Sequence, residues 1–314
     1  MTVTAVPLAR GGAFAGVPVL ELLADRPIDP GTALGHLFAP AGEIAAEVAL
    51  ARFVAGAPRR MLGDFADAVS LLPPRERERA AILLAWVEAL AATAGEADPA
   101  ERRLSRLHRS AYLLARALSG EPADSPFVRA FAAENDRRAF GRPALDALLA
   151  ASRREVEQSR PDTREAWESG CEQWARAFAA ALIGDEPTPE TVEAAAALLR
   201  LHRLCQLPVG LAAGRCHLPS AELAEPLQYR QTEEIAAAVT LECDALRPQL
   251  LRGARALGEV PLTFRRPLAF LLSTALELLG RIEVHPESLA ARPPRLGSWT
   301  RRVTLWRIRR QPLG

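Results

Sequence analysis

A chain of 314 residues, 49% hydrophobic and with 39 basic against 38 acidic side chains, is long enough to bury a sizeable core as one large domain or two ordinary ones. Its formal net charge of +1 provides no global field to draw in a polyanion, so no nucleic-acid partner is expected. Four cysteines, Cys171, Cys205, Cys216 and Cys243, show no C-x-x-C spacing and no signal peptide precedes them, which points to a reduced, cytoplasmic compartment.

The first 50 residues read as an N-terminal extension. Their start, "MTVTAVPLARGGAFAGVPVLELL", has one arginine and is broken by Pro7, paired glycines and Pro18, so it makes a poor secretion signal. No window in the chain reaches the ~18 uncharged apolar residues of a membrane span. From there apolar residues recur at helical spacing and period-two patterns are nearly absent. The spacing predicts helices near 42–56, 76–95, 100–118, 125–138, 143–159, 163–183, 188–206, 231–257, 262–283 and 298–309. Pro73, Pro74, Gly120, Pro122, Gly184, Pro187, Pro219 and Pro226 punctuate them. With no repeat and no linker longer than ~15 residues, 51–314 reads as one all-α domain. Alanine on every face, as in "AAILLAWVEALAATA", suits a bundle around an apolar cavity or a solid one.

Four segments in order carry a resemblance. They are "LLPPRERERAAILLAWVEALAATAGEADPAERRL", "LDALLAASRREVEQSRPDTREAW", "RLCQLPVGLAAGRCHLPSAEL" and "PLTFRRPLAFLLSTALELLGRIE". Together, over about residues 57–310, they resemble the squalene/phytoene synthase family, the head-to-head branch of the isoprenoid synthases. That resemblance implies a single-domain helical bundle around a central apolar cavity. It also implies Mg²⁺ held between two aspartate-rich motifs, which ionises an allylic diphosphate by neutralising the leaving group.

The departures fall on that chemistry. Counted from Leu71-Leu72-Pro73-Pro74, the first motif's aspartates become Ala91, Ala92 and Gly95, with Glu96 beside them and Glu88 where an arginine stands in the family. Counted back from Gly214-Arg215 and Leu218-Pro219, the second pair becomes Gln206 and Gly210, with Leu199, His202 and Cys205 as neighbours. On the phosphate side, Met61, Gly63 and Asp64 replace the family's polar and basic residues and Phe65 remains; Pro161 and Gly170 replace aromatics. Glu155 keeps a carboxylate where the family has aspartate.

The expected reading is therefore a family-fold protein without Mg²⁺-diphosphate chemistry, with no metal site and no cofactor. It would bind or transform an apolar, isoprenoid-like small molecule, or act as a non-catalytic protein partner. If it is catalytic, Glu88, Glu155 and His202 form the candidate acid/base set. Trp86, Phe65, Glu96, Gln206 and Arg215 are the candidate ligand-binding groups. One alternative retains prenyl transfer or terpene cyclisation on a diphosphate through an altered site, with Arg153 and Arg154 as exposed phosphate candidates. Another is a structural interaction protein with a filled cavity. His108 reads as a boundary residue, His217 as a loop residue and Cys171 as core. The tail "RRVTLWRIRR", with Trp299 and Trp306, reads first as a solvated helix and second as a membrane-surface or partner contact.

Overall fold

The computed structural model describes residues 33–38, 40, 44–158, 160–184, 186–212, 216–220 and 232–311. In chain order these form α1 (Ala33–Phe38), α2 (Ile44–Leu62), a 3-10 helix (Gly63–Leu71), α3 (Pro74–Ala94), α4 (Ala100–Leu118), α5 (Pro126–Arg137), α6 (Arg142–Glu157) and α7 (Arg164–Ile183). There follow α8 (Pro189–Cys205), α9 (Leu207–Ala212), α10 (Thr232–Arg255), α11 (Leu262–Val284) and α12 (Ser298–Arg310), with short 3-10 turns at Ala256–Glu259 and Pro286–Ala290. No strand occurs among the described residues.

Local chemistry sets these boundaries. Ser125, Thr163 and Thr188 cap α5, α7 and α8 by accepting from the backbone N–H of Val128, Ala166 and Thr191. Pro74 opens α3 at a position where its missing N–H costs nothing. Three differences from the expected elements have plain causes. The helix expected to stop at 56 continues through Pro58 to Leu62, because one proline removes one donor and the turns beyond it still close. The 3-10 helix and α1 are too short or irregular to leave a periodic signature. The helix expected at 188–206 ends where expected, at Cys205, and the short α9 that follows, with Pro208 in its first turn, is not among the expected elements. Pro208 has no N–H to offer the Leu204 carbonyl four residues back, which weakens the junction between the two helices.

Two apolar clusters make up most of the core. The first joins α1 to α7 around Trp86, Phe127, Phe131 and Phe140, and it takes in Leu34 and Leu37 of α1. The second joins α8 to α11 and is built of leucine, alanine and isoleucine with Cys243. The 3-10 helix spans both, Val69 in the first and Phe65 in the second. Small residues let α8 and α10 approach closely: a Cβ at Gly253 would lie 2.6 Å from the Ala194 Cβ. Gly184 ends α7 in the left-handed conformation, φ 83°, as an L side chain rarely does. Among the described ion pairs every cation is a guanidinium except His285 beside Glu287.

Candidate functional site

At the C-terminal end of α3, Ala91 and Ala92 are exposed and Gly95 caps the helix. On the other side of the expected motif pair, Gln206 is an exposed cap on α8, while Gly210 lies buried on the separate helix α9. The two positions therefore do not share one uninterrupted helix face. These five residues offer a single side-chain oxygen. Among the described residues no three His, Cys, Asp or Glu side chains gather as a metal would require. A magnesium cluster needs several carboxylate oxygens in near-octahedral array, and this donor set does not fit one.

The nearby carboxylates are each engaged by an arginine. Glu88 accepts from Arg60 Nε at 2.6 Å and Nη2 at 2.8 Å, and the same guanidinium donates to the Phe53 carbonyl at 2.7 Å. Glu96 is ion-paired with Arg106, which also reaches Asp98 at 2.6 Å. Burial raises the Glu96 pKa despite that arginine. Glu155 is ion-paired with Arg203, whose guanidinium lies 5.2 Å from the Trp167 ring centroid.

The structure does not assemble the expected glutamate–histidine pair. His202 is half-buried on α8, and its imidazole forms no hydrogen bond or ion pair among the described residues. Burial, with Arg203 adjacent, pushes its pKa down to about 4, so it is neutral at neutral pH. Arg60, in the last turn of α2, takes the Glu88 carboxylate by two charge-assisted bonds, which outcompete a neutral imidazole. None of Glu88, Glu96 and Glu155 is left poised beside a proton carrier.

The remaining candidates divide. Trp86 has no exposed surface and packs edge-on against Phe131 at 5.7 Å, so it faces packed side chains instead of an open ligand space. Phe65 is buried in the second cluster. Gln206 faces solvent. Arg215 lies outside the described residues, as does Gly214. Asp64, on the expected phosphate side, accepts from the Leu296 N–H at 2.7 Å, and Arg301 lies 3.6 Å from it and 3.3 Å from Asp67. An aspartate there ties the 3-10 helix to the start of α12. Arg153 is half-buried and Arg154 exposed; both line a groove of about 720 Å³ with Ala144, Ala147, Ala177 and Ala180, and none of the expected catalytic residues borders it.

Cysteine chemistry is equally quiet. Burial raises Cys171 to about 11 and Cys205 and Cys243 to about 12, and it raises Cys216 as well. None is a thiolate at neutral pH. His108 is half-buried on α4, its pKa lowered by burial and by Arg153.

The most heavily bonded polar groups are ones the sequence reading passed over. Glu242 of α10 is fully buried and accepts from Arg200 Nε at 2.6 Å and Nη2 at 2.8 Å, from Arg164 at 3.0 Å and from the Trp167 indole at 3.4 Å. Arg200 also reaches Glu168 at 3.1 Å and Gln249 at 3.2 Å. This cluster clamps α7, α8 and α10 together. In the first core Arg79 donates to four carbonyls, those of Ala181 (2.6 Å), Arg138 (2.7 Å), Ala139 (3.1 Å) and Leu182 (3.1 Å), and its guanidinium lies 4.0 Å from the Phe140 centroid. The signal was present. Glu242 interrupts the stripe Ile235, Val239, Leu246, Leu250, and Arg79 begins Leu83, Trp86, Leu90, all at core spacing.

A family model described as squalene/phytoene synthase matches residues 59–307. Among solved structures the fold is similar to a dehydrosqualene synthase in complex with ligand, at 15% identity and TM-score 0.66, over 82% of this chain and 96% of that one. It is also similar to squalene synthase HpnC from Alicyclobacillus acidocaldarius, at 21% identity and TM-score 0.59, over 74% and 97%. A third likeness is to YisP from Bacillus subtilis subsp. subtilis strain 168, at 13% identity and TM-score 0.55, over 82% and 97%. No curated protein sequence matches this chain.

Proposed function

The chain belongs to the squalene/phytoene synthase family, and we propose that it is a non-catalytic member that has given up magnesium-diphosphate chemistry and binds a neutral, apolar, isoprenoid-like molecule. The observation that carries this reading is the state of the polar groups. Ala91, Ala92, Gly95, Gln206 and Gly210 stand where the resemblance calls for metal-binding aspartates, and Glu88, Glu96 and Glu155 are ion-paired with Arg60, Arg106 and Arg203. Ionising a diphosphate needs its leaving charge neutralised in the transition state, and each lost donor of that kind costs about 3 kcal/mol. A carboxylate held by a guanidinium is a poor base, and a histidine with a pKa of about 4 is unprotonated and cannot serve as the acid at neutral pH. A neutral ligand avoids both demands, because its binding rests on apolar burial.

Two measurements test this. Inorganic diphosphate release from prenyl diphosphates of about ten to twenty carbons, with Mg²⁺ and then with chelator, is expected to match a no-enzyme control. Displacement of a fluorescent apolar probe by long-chain isoprenoid alcohols and hydrocarbons is expected, with no effect of Mg²⁺. Metal-dependent turnover would overturn the loss of chemistry; absence of any displacement would overturn the ligand.

A further inference from the structure

We infer that α12 is an interfacial helix that seats this face of the protein on an anionic lipid surface. Trp299 is 77% exposed and Trp306 is 55% exposed, far more than a tryptophan in a protein surface ordinarily shows. They stand seven residues apart, two helical turns, so both project from one face. Arg302 lies between them on that face and Arg309 continues it; both are exposed, as are Arg307 and Arg310. The Arg310 guanidinium sits 4.3 Å from the Trp306 ring centroid. Arg302, Arg307 and Arg309 form no ion pair among the described residues, and α12 contains no acidic residue.

The inward side of the helix is already used. Ile308 packs with Phe270 and Ala68, and Arg301 turns to Asp64 and Asp67. What remains outside is an indole–guanidinium stripe with nothing of this chain's described structure to cover it. α11 runs antiparallel to α12, with Arg281 bonded to the Arg295 carbonyl near one end and Phe270 against Ile308 toward the other, and its terminal residues Val284 and Leu262 are 68% and 61% exposed.

The occupant follows from that chemistry. Indole rings settle at the headgroup level of a bilayer, apolar body inward and N–H toward water, and guanidinium pairs with lipid phosphate. The stripe is a convex helix surface, suited to a planar anionic layer. No described helix is long and apolar enough to cross a membrane, so the contact is peripheral. This inference does not depend on the proposed ligand.

The test is flotation of the full chain with vesicles of phosphatidylglycerol and phosphatidylcholine, and with phosphatidylcholine alone. Binding to the anionic vesicles is expected, weakened by added salt. W299A/W306A should lower the partition coefficient about tenfold or more by removing two interfacial rings. R302E/R309E should lower it about twentyfold or more, at roughly fivefold per arginine lost. All altered side chains are exposed, and unchanged circular dichroism and Tm would verify that each variant folds. The inference is overturned by failure to float with anionic vesicles, by equal binding to neutral ones, or by full binding in both variants. It is also overturned if sedimentation shows a dimer that W299A/W306A dissolves while no lipid binds, which would assign the stripe to a second copy of the chain.

Discussion

Arg79 and Arg200 are the two fully buried arginines of the two main cores, 1% and 2% exposed, and they are satisfied in opposite ways. Arg79 sits among four main-chain carbonyls near the ends of α5 and α7, with Glu134 no nearer than 3.9 Å. Burial and Arg138 lower its pKa, against the pull of Glu134 and Glu76. Arg200 is also opposed by burial, but hydrogen bonds and charge from Glu242 prevail and its pKa is raised. One cation is held by dipoles of the fold itself, the other by a side chain that a single codon could remove. A backbone cradle is inseparable from the chain path that makes it, whereas a buried ion pair can be exchanged as a unit.

Substitutions can break or sharpen that contrast. The largest effect is expected from Glu242→Gln, which leaves the buried Arg200 with only Glu168 and Gln249 and takes the carboxylate from Arg164 and Trp167; unfolding in denaturant should show a loss of about 3–5 kcal/mol. Arg79→Met should cost about 3 kcal/mol, because the carbonyls lose their donors and burial denies them water. The joint replacement R200M/E242L should lie within about 1–2 kcal/mol of the parent, since an apolar pair of similar volume avoids desolvating two charges. A double variant as damaged as E242Q would erase the distinction between cradle and pair.

The smallest effect at neutral pH concerns His202, two residues beyond Arg200 on α8. Its pKa is about 4 in the fold against an ordinary value of 6.5, so between these the unfolded chain binds the extra proton. Stability should be insensitive to this group above about pH 6.5 and should decline as pH falls from there toward about 4. His202→Gln should flatten that part of the profile measured by thermal unfolding; an unchanged slope would mean that other groups set it.

The contrast also explains what the sequence revealed. Helix existence rested on apolar spacing repeated over three or more turns, so 100–118, 262–283 and 298–309 closely match α4, α11 and α12. The six-residue α9 was not legible, because with Pro208 in its first turn it is too short to leave a periodic signature. Site chemistry was less legible because partner choice is non-local. Glu88 meets an arginine 28 residues earlier, and Glu155 one 48 residues later, on helices whose relative rotation no local spacing encodes. Arg79 closes the charged run "RERER", yet its place at the head of an apolar stripe marks it as inward-facing.

The absence of lysine from the ion pairing has a practical consequence for anyone handling this protein. All 39 basic residues are arginine, so no side-chain amine exists for acylating labels, amine crosslinkers or enzymatic acetylation to neutralise. Its electrostatic skeleton is thereby insulated from the commonest reactions that silence a positive charge. Alkaline solution does not discharge it either, because guanidinium stays protonated far beyond the range in which proteins survive. Adjustment by protonation can come only from the carboxylates, so among pH changes it is acid that loosens these contacts together.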